Sequence, residues 1–241
     1  MKTTIFDYFD AIYCINLDKR PDRWEWVKKE FEKMGIEDKV KRFPAFDVNK
    51  KHVGCALSHR YIIKLAKENK YNNVLILEDD IYFNKNWIEL LEKAINNLKK
   101  VKWDIFYFGV SLCLNDIPYA FRENNLLKIV GARSTHAISY NSSTYDGLLN
   151  SLPKDINDGI KFTQKFLAID AYYSRYFQKI NKVFMPLENI CYQKISYSDN
   201  EKKMHNLGRH QNFYFFLFRQ SYLIQKLKEI LHSIIYFILW R

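Results

Sequence analysis

The chain has 241 residues and a mass of 29.1 kDa, enough for one large domain or one domain with a short appendage. Hydrophobic residues make up 48% and charged residues 27%, a globular balance that excludes disorder, collagen-like repeats and mucin-like stalks. Thirty-eight Lys+Arg against 27 Asp+Glu leave a net charge of +11, which calls for an anionic partner: nucleic acid, an acidic membrane or a phosphorylated substrate.

In chain order, the first thirteen residues carry Asp7 and Asp10 and lack an uninterrupted apolar run, unlike a signal peptide. Ala11 to Leu17 is a short apolar, β-branched run that predicts a buried strand. Pro21 opens a helix, Trp24, Val27, Phe31 and Met34 repeat at helical spacing, and Gly35 stops it. Val40 to Phe46 reads as a second strand. A helix from Gly54 to about Asn69 follows, with Leu57, Tyr61, Ile62 and Leu65 expected inside. Asn73 to Leu77 is a third buried strand, ending in Glu78, Asp79 and Asp80. Trp87, Leu90, Leu91, Ile95 and Leu98 mark another amphipathic helix, and a strand runs from Trp103 to Phe108. This alternation predicts an α/β layer with a largely parallel sheet.

The second half is less regular. Leu126 to Val130 and Thr135 to Tyr140 read as strands, Ser142 to Leu149 as a helix and Asp155 to Gly159 as a loop. A helix over Ala168 to Gln178, starting near Asp170, precedes a short strand from Val183 to Met185, ended by Pro186. The four cysteines are scattered among apolar neighbours with no C-x-x-C pair, as expected of free thiols in a reducing cytosol. From Phe213 onward the character changes. Leu223, Ile224, Leu227, Ile230, Leu231 and Ile234 fall on one arc of a helix and polar residues on the other, followed by Tyr236 and Trp240. The reading is a domain over 1–205 and a basic, amphipathic, membrane-associating tail over 206–241, against the alternative of a helix packed on the domain. The tail from Lys202 carries seven basic residues and one acidic, so +6 of the +11 sits in about a sixth of the chain.

The carboxylates are the most informative feature. A buried strand delivers three of them at its C-terminal end, where open α/β sheets bind ligands. Adjacent like charges repel, desolvation makes this worse, and a divalent cation removes the penalty. Glu78 and Asp80 fall on one side of an extended chain and would share such an ion. Oxygen ligands favour Mg²⁺ or Mn²⁺. The turn from Asn16 to Arg23 adds a helix N-terminus with Arg20 and Arg23, suited to a phosphate. His52 and His59 have no acidic partner at ligand spacing in sequence. No dinucleotide, P-loop or nucleophile-elbow motif occurs.

Ile15-Asn16-Leu17 with Arg20 and Arg23, then Gly54-Cys55-Ala56-Leu57-Ser58-His59, then Ile76-Leu77-Glu78-Asp79-Asp80, resemble the ordered signature of the family 25 glycosyltransferases. That family includes bacterial lipooligosaccharide and collagen galactosyltransferases. Thr135-His136-Ala137-Ile138-Ser139, Ile169-Asp170, Gln193 and Ser198-Asp199 are similar to its downstream elements, so the resemblance runs from about residue 11 to 200. It implies a GT-A-like fold, a UDP-sugar donor, usually UDP-galactose, and inverting transfer. Donor binding would involve Asn16, Arg20, Arg23, Ser58, His59, Asp79 and Gln193, with Glu78 and Asp80 on Mn²⁺ or Mg²⁺. The strict Asp-x-Asp is replaced here by Glu78-Asp79-Asp80.

Inversion needs a carboxylate to take the acceptor proton. Asp170, at a helix start after an apolar run, is the first choice and Asp199 the second. A lipooligosaccharide or other cell-surface glycan acceptor, at the cytoplasmic face of an inner membrane, completes the expectation. A metal-dependent nuclease and a non-catalytic peripheral membrane protein are the rivals, and nucleic acid is not an expected partner of the transferase.

Overall fold

The computed structural model describes residues 4–50, 52–113, 116 and 118–194, with 197–198, 203–204 and positions 227, 230, 231 and 234. A 3₁₀ turn (Thr4–Tyr8) leads into β1 (Ala11–Asn16). Helix α1 (Pro21–Met34) has Pro at its start and ends at Gly35, whose φ of 64° is the left-handed cap that glycine takes without strain. Strand β2 (Val40–Pro44), helix α2 (Val53–Glu68), strand β3 (Asn73–Glu78), short β4 (Ile81–Phe83), helix α3 (Trp87–Leu98) and strand β5 (Ile105–Tyr107) follow. Then come β6 (Ser111–Leu112), the hairpin β7 (Tyr119–Glu123) and β8 (Leu126–Val130), β9 (Ala132–Arg133) and β10 (Ala137–Asn141). A 3₁₀ turn (Ser142–Thr144) opens α4 (Tyr145–Ser151), and α5 (Ile156–Phe166) follows. Helix α6 (Ile169–Tyr172) runs through a π-helical turn (Tyr173–Phe177) into α7 (Gln178–Ile180). Strands β11 (Val183–Pro186), β12 (Cys191–Gln193), β13 (Tyr197–Ser198) and β14 (Lys203–Met204) close the described chain.

Eight strands form one sheet in the order β2-β1-β3-β10-β5-β11-β8-β7, with helices on both faces. Strand parity divides the core. Val74 and Ile76 pack toward α2, α4 and α5, whereas Leu75 and Leu77 pack toward α1 and α3. A strand buried on both faces reads as a continuous apolar run, as this one does.

The expectation of a largely parallel sheet fails at its centre. Strands β2, β1 and β3 are parallel, but β10 runs antiparallel to both β3 and β5. Among the described residues no crossover helix separates β5 from β10, and an antiparallel neighbour requires none. Asp155 to Gly159 is not a loop either. Asp155 caps α5, its carboxylate accepting the Asp158 N–H at 2.9 Å. In α2, Tyr61 is exposed and Leu65 only half-buried, while Ala56, His59, Ile63 and Ala66 form the inward arc.

All four cysteines are free thiols, Cys14 and Cys191 buried. Among the described residues no helix is long and apolar enough to cross a membrane. Asp199 and most of 206–241 lie outside the described residues, but Leu227, Ile230, Leu231 and Ile234 are helical and each more than half exposed.

Candidate active site

Asn16 ends β1 and Glu78 ends β3, side by side at the sheet's C-terminal edge through the pairing of Ile15 with Glu78. Because β10 is antiparallel, it brings its own beginning to that same edge. The Glu78 N–H donates to the His136 carbonyl at 2.8 Å, and the Thr135 hydroxyl donates to the Glu78 carboxylate at 2.8 Å. Strand β12 pairs with β4, setting Gln193 opposite Ile81 and next to Asp80. Asp170 stands at the start of α6 and accepts the Ser134 N–H at 3.3 Å. The edge therefore collects Asn16, Arg23, Glu78, Asp79, Asp80, Asp170 and Gln193 from across nearly 180 residues of sequence.

The three carboxylates have different surroundings. Both oxygens of Asp79 are bonded, one by the Asn16 amide at 2.6 Å and the other by Arg23 at 2.9 Å. Asn16 is itself held, donating to the Arg20 carbonyl and accepting two bonds from Arg42 at 2.7 and 2.9 Å. Asp79 is thus the tie between β1, α1 and β3. Burial nevertheless pushes its carboxyl up, against the pull of Arg23 and Asn16. Glu78 accepts from Thr135 and lies 3.7 Å from His59 Nε2; burial opposes its charge, but His59 and Thr135 prevail and hold it below the usual glutamate range.

Asp80 is the odd member. Its Oδ1 is buried without a hydrogen-bond partner, and burial together with the charge on Glu78 pushes its carboxyl up to about 7, against Arg23, 3.6 Å away. A buried carboxylate with an unused oxygen beside a second carboxylate is relieved by taking up a proton or a cation. Glu78 and Asp80 therefore fit the hard divalent ion expected of them. The chain leaves β3 at Glu78, so Asp80 reaches this position through a turn and not through strand alternation.

The remaining expected residues have partners of their own. Arg20 is paired with Asp22 at 2.9 and 3.0 Å at the surface. The Ser58 hydroxyl is fully buried, donating to the Gly54 carbonyl at 2.7 Å and accepting the Phe46 N–H at 3.1 Å, so it ties the preceding loop to α2. His59 is buried beneath Glu78, and its Nδ1 meets the Tyr140 hydroxyl at 3.1 Å. Gln193 accepts from the Ser134 hydroxyl at 2.9 Å.

The structure adds residues that sequence reading did not single out. Ser134 takes a φ of 86°, unusual for a non-glycine residue, and is held by Gln193, by Asp170 and by His136 Nδ1 at 2.9 Å. His136 is buried, and desolvation pushes it down to about 4, against Glu78. Arg42 lies over the Trp24 ring and spans Asn16 and Asp18. Behind the site, Asp116 accepts from Arg133, Arg175 and Ser174, tying β9 to the π-helical turn. Thr135 and His136 lie within the similar Thr-His-Ala-Ile-Ser stretch, but nothing local in sequence marks the pairing of Thr135 with Glu78 across 57 residues.

Residues 47–128 match the family model described as glycosyltransferase family 25 (LPS biosynthesis protein). A Drosophila melanogaster glycosyltransferase 25 family member is 31% identical over 132 residues, 42% of this chain and 21% of that protein. A Xenopus laevis procollagen galactosyltransferase 1-B is 26% identical over 129 residues, again 42% of this chain and 21% of that one. A human protein described as an inactive glycosyltransferase 25 family member 3 is 27% identical, over 42% of this chain and 22% of its own. The match thus spans about a fifth of the length of these relatives. The segment it covers holds Gly54 to His59 and Ile76 to Asp80, and over it this chain is similar to the family 25 glycosyltransferases.

Proposed function

We propose that this chain is an inverting, metal-dependent glycosyltransferase of GT-A-like architecture that transfers a hexose, galactose from UDP-galactose first among the donors, to a lipooligosaccharide or other cell-surface glycan. The observation that carries the proposal is the carboxylate edge inside the family-matched segment, with Asp80 Oδ1 buried and unbonded beside Glu78. The galactosyltransferase among the relatives supports the choice of donor, and the inactive relative makes catalysis the point to test.

Glu78 and Asp80 would hold Mn²⁺ or Mg²⁺. Bound there, the cation supplies Lewis-acid neutralisation of the charge that develops on a departing nucleoside diphosphate. Arg23, fixed by Asp79, adds a positive charge that needs no reorganisation, and Arg20 stands at the same turn. Asn16 and Asp79 keep that turn docked on the sheet. Asp170 accepts the proton of the attacking acceptor hydroxyl, with the Ser134 N–H and Gln193 aligning the strand that faces it. Asp199 remains the second candidate for this role. Ser58 and His59 act from beneath the donor site, by holding the loop and Glu78. The exposed apolar row at Leu227, Ile230, Leu231 and Ile234, in the most basic part of the chain, supports a peripheral position on an anionic cytoplasmic membrane face.

Calorimetric titration with UDP-galactose, UDP-glucose and UDP-N-acetylglucosamine, with Mn²⁺ and with EDTA, tests the donor class. Binding of a UDP-sugar only in the presence of metal is expected. No binding of any donor, together with salt-sensitive cleavage of RNA or DNA, would replace the transferase by a nuclease.

A further inference from the structure

On the α2 side of the carboxylate edge, we propose a second type of cation site, formed by Cys55, His59 and Glu78 and suited to a thiophilic ion, Zn²⁺ first. It goes beyond the transferase reading and stands without it.

Cys55 and His59 are four residues apart on one face of α2, the spacing that stacks two side chains over each other. Strand alternation puts Glu78 on the same side as Val74 and Ile76, the side that packs against α2. The thiol sulfur, an imidazole nitrogen and a carboxylate oxygen of these three lie within 4.8 Å of one another, and His59 Nε2 is 3.7 Å from Glu78 Oε1. Zn–S of about 2.3 Å and Zn–N or Zn–O of about 2.0–2.1 Å in a tetrahedral site place such atoms about 3.3–3.6 Å apart. A contraction of at most about 1.5 Å between the widest pair closes the site.

The independent sign of a ligand is His59 itself. It is wholly buried, and its Nε2 has no hydrogen-bond partner. In the tautomer that donates Nδ1–H to the Tyr140 oxygen, the Tyr140 hydroxyl passes its own hydrogen to Tyr173, 3.1 Å away. In that tautomer the Nε2 lone pair faces the Glu78 carboxylate, 3.7 Å away, an arrangement that a bound cation relieves. A hydrogen-bonded outer nitrogen is the usual way a metal-binding histidine is oriented. Thr135 borders the site, 2.8 Å from Glu78 and 4.0 Å from the Cys55 sulfur.

Ligand softness separates this site from the oxygen-lined edge. Thiolate with imidazole selects zinc over magnesium or manganese. Cys55 would bind as the thiolate, so uptake releases the thiol proton and strengthens as pH rises.

The test is titration of the metal-stripped full chain with Co²⁺, then Zn²⁺. The expected result is a thiolate-to-cobalt charge-transfer band that saturates at one equivalent, is displaced by Zn²⁺ and is untouched by Mg²⁺. Cys55→Ser, with its fold checked by circular dichroism, loses the band, whereas Cys113→Ser keeps it. Loss of a group that merely orients a ligand already weakens binding about 10–100-fold, so His59→Gln is expected to weaken Co²⁺ binding by at least about 100-fold. No band in the wild-type chain, a band that survives Cys55→Ser, or unchanged affinity in His59→Gln overturns the site. A cobalt band without UDP-sugar binding leaves it standing and removes the transferase reading. UDP-sugar binding without a band does the reverse.

Discussion

Gly54 opens the Gly-Cys-Ala-Leu-Ser-His stretch because a Cβ there would stand 2.1 Å from the Phe46 carbonyl oxygen. The collision is with backbone, which cannot step aside as a side chain can. Gly54→Ala is expected to destabilise by about 1–3 kcal/mol, read from the urea midpoint. Gly147 meets nothing within 4 Å in a helix interior, so Gly147→Ala is expected to be neutral or to stabilise by up to about 1 kcal/mol. His136 supplies a pH dependence. Its value falls from about 6.5 in the unfolded chain to about 4 when folded. The unfolded chain then binds the extra proton between those limits. The contribution is complete above pH 6.5, is lost as pH falls toward 4, and amounts to about 3 kcal/mol. Urea midpoints across that range should show the loss, with a shallower slope in His136→Gln. Unchanged slopes would place His136 outside this account.

At the level of elements, the parts governed by local pattern were legible. The apolar run of β1, the proline start and glycine stop of α1, the period of α3 and the carboxylate-tipped β3 all read from neighbouring residues. What failed was non-local. The direction of β10 depends on which strands it joins, and nothing in Thr135 to Tyr140 states that. Helix α5 was hidden because Asp155, Asn157, Asp158 and Gly159 are turn formers in isolation and a capped first turn in context. Tyr119 to Glu123 alternates too briefly to announce β7. The site divides in the same way. The acidic tip of β3 was legible from a buried strand ending in acid, whereas the placement of Glu78 beside Cys55 and His59 depends on a separate element. Asn16 shows what the assembled edge depends on. Its amide serves Arg20, Asp79 and Arg42, so Asn16→Ala leaves buried partners unsatisfied and should cost about 1–3 kcal/mol in unfolding free energy. A midpoint equal to the wild-type value would show that Asp79 holds β1 to β3 without it.

For the molecule as a whole, the charge that first suggested nucleic acid is concentrated past residue 201. The carboxylate edge has its own mixture of acids and arginines, and the two regions have separate tasks in the proposed function. Deleting 206–241 is therefore expected to abolish salt-sensitive sedimentation with phosphatidylglycerol vesicles while Mn²⁺-dependent UDP-sugar binding persists. Retained vesicle binding would move the membrane contact into the domain. The central claim is that Glu78 and Asp80 make this sheet edge a metal-assisted transfer site. The most direct measurement is UDP release from UDP-galactose with a lipooligosaccharide acceptor, in wild type and Asp80→Ala, with Mn²⁺ and with EDTA. The account predicts release that requires the metal and falls by at least about 100-fold in the variant. Full turnover in EDTA, or an Asp80→Ala enzyme as active as wild type, would contradict it.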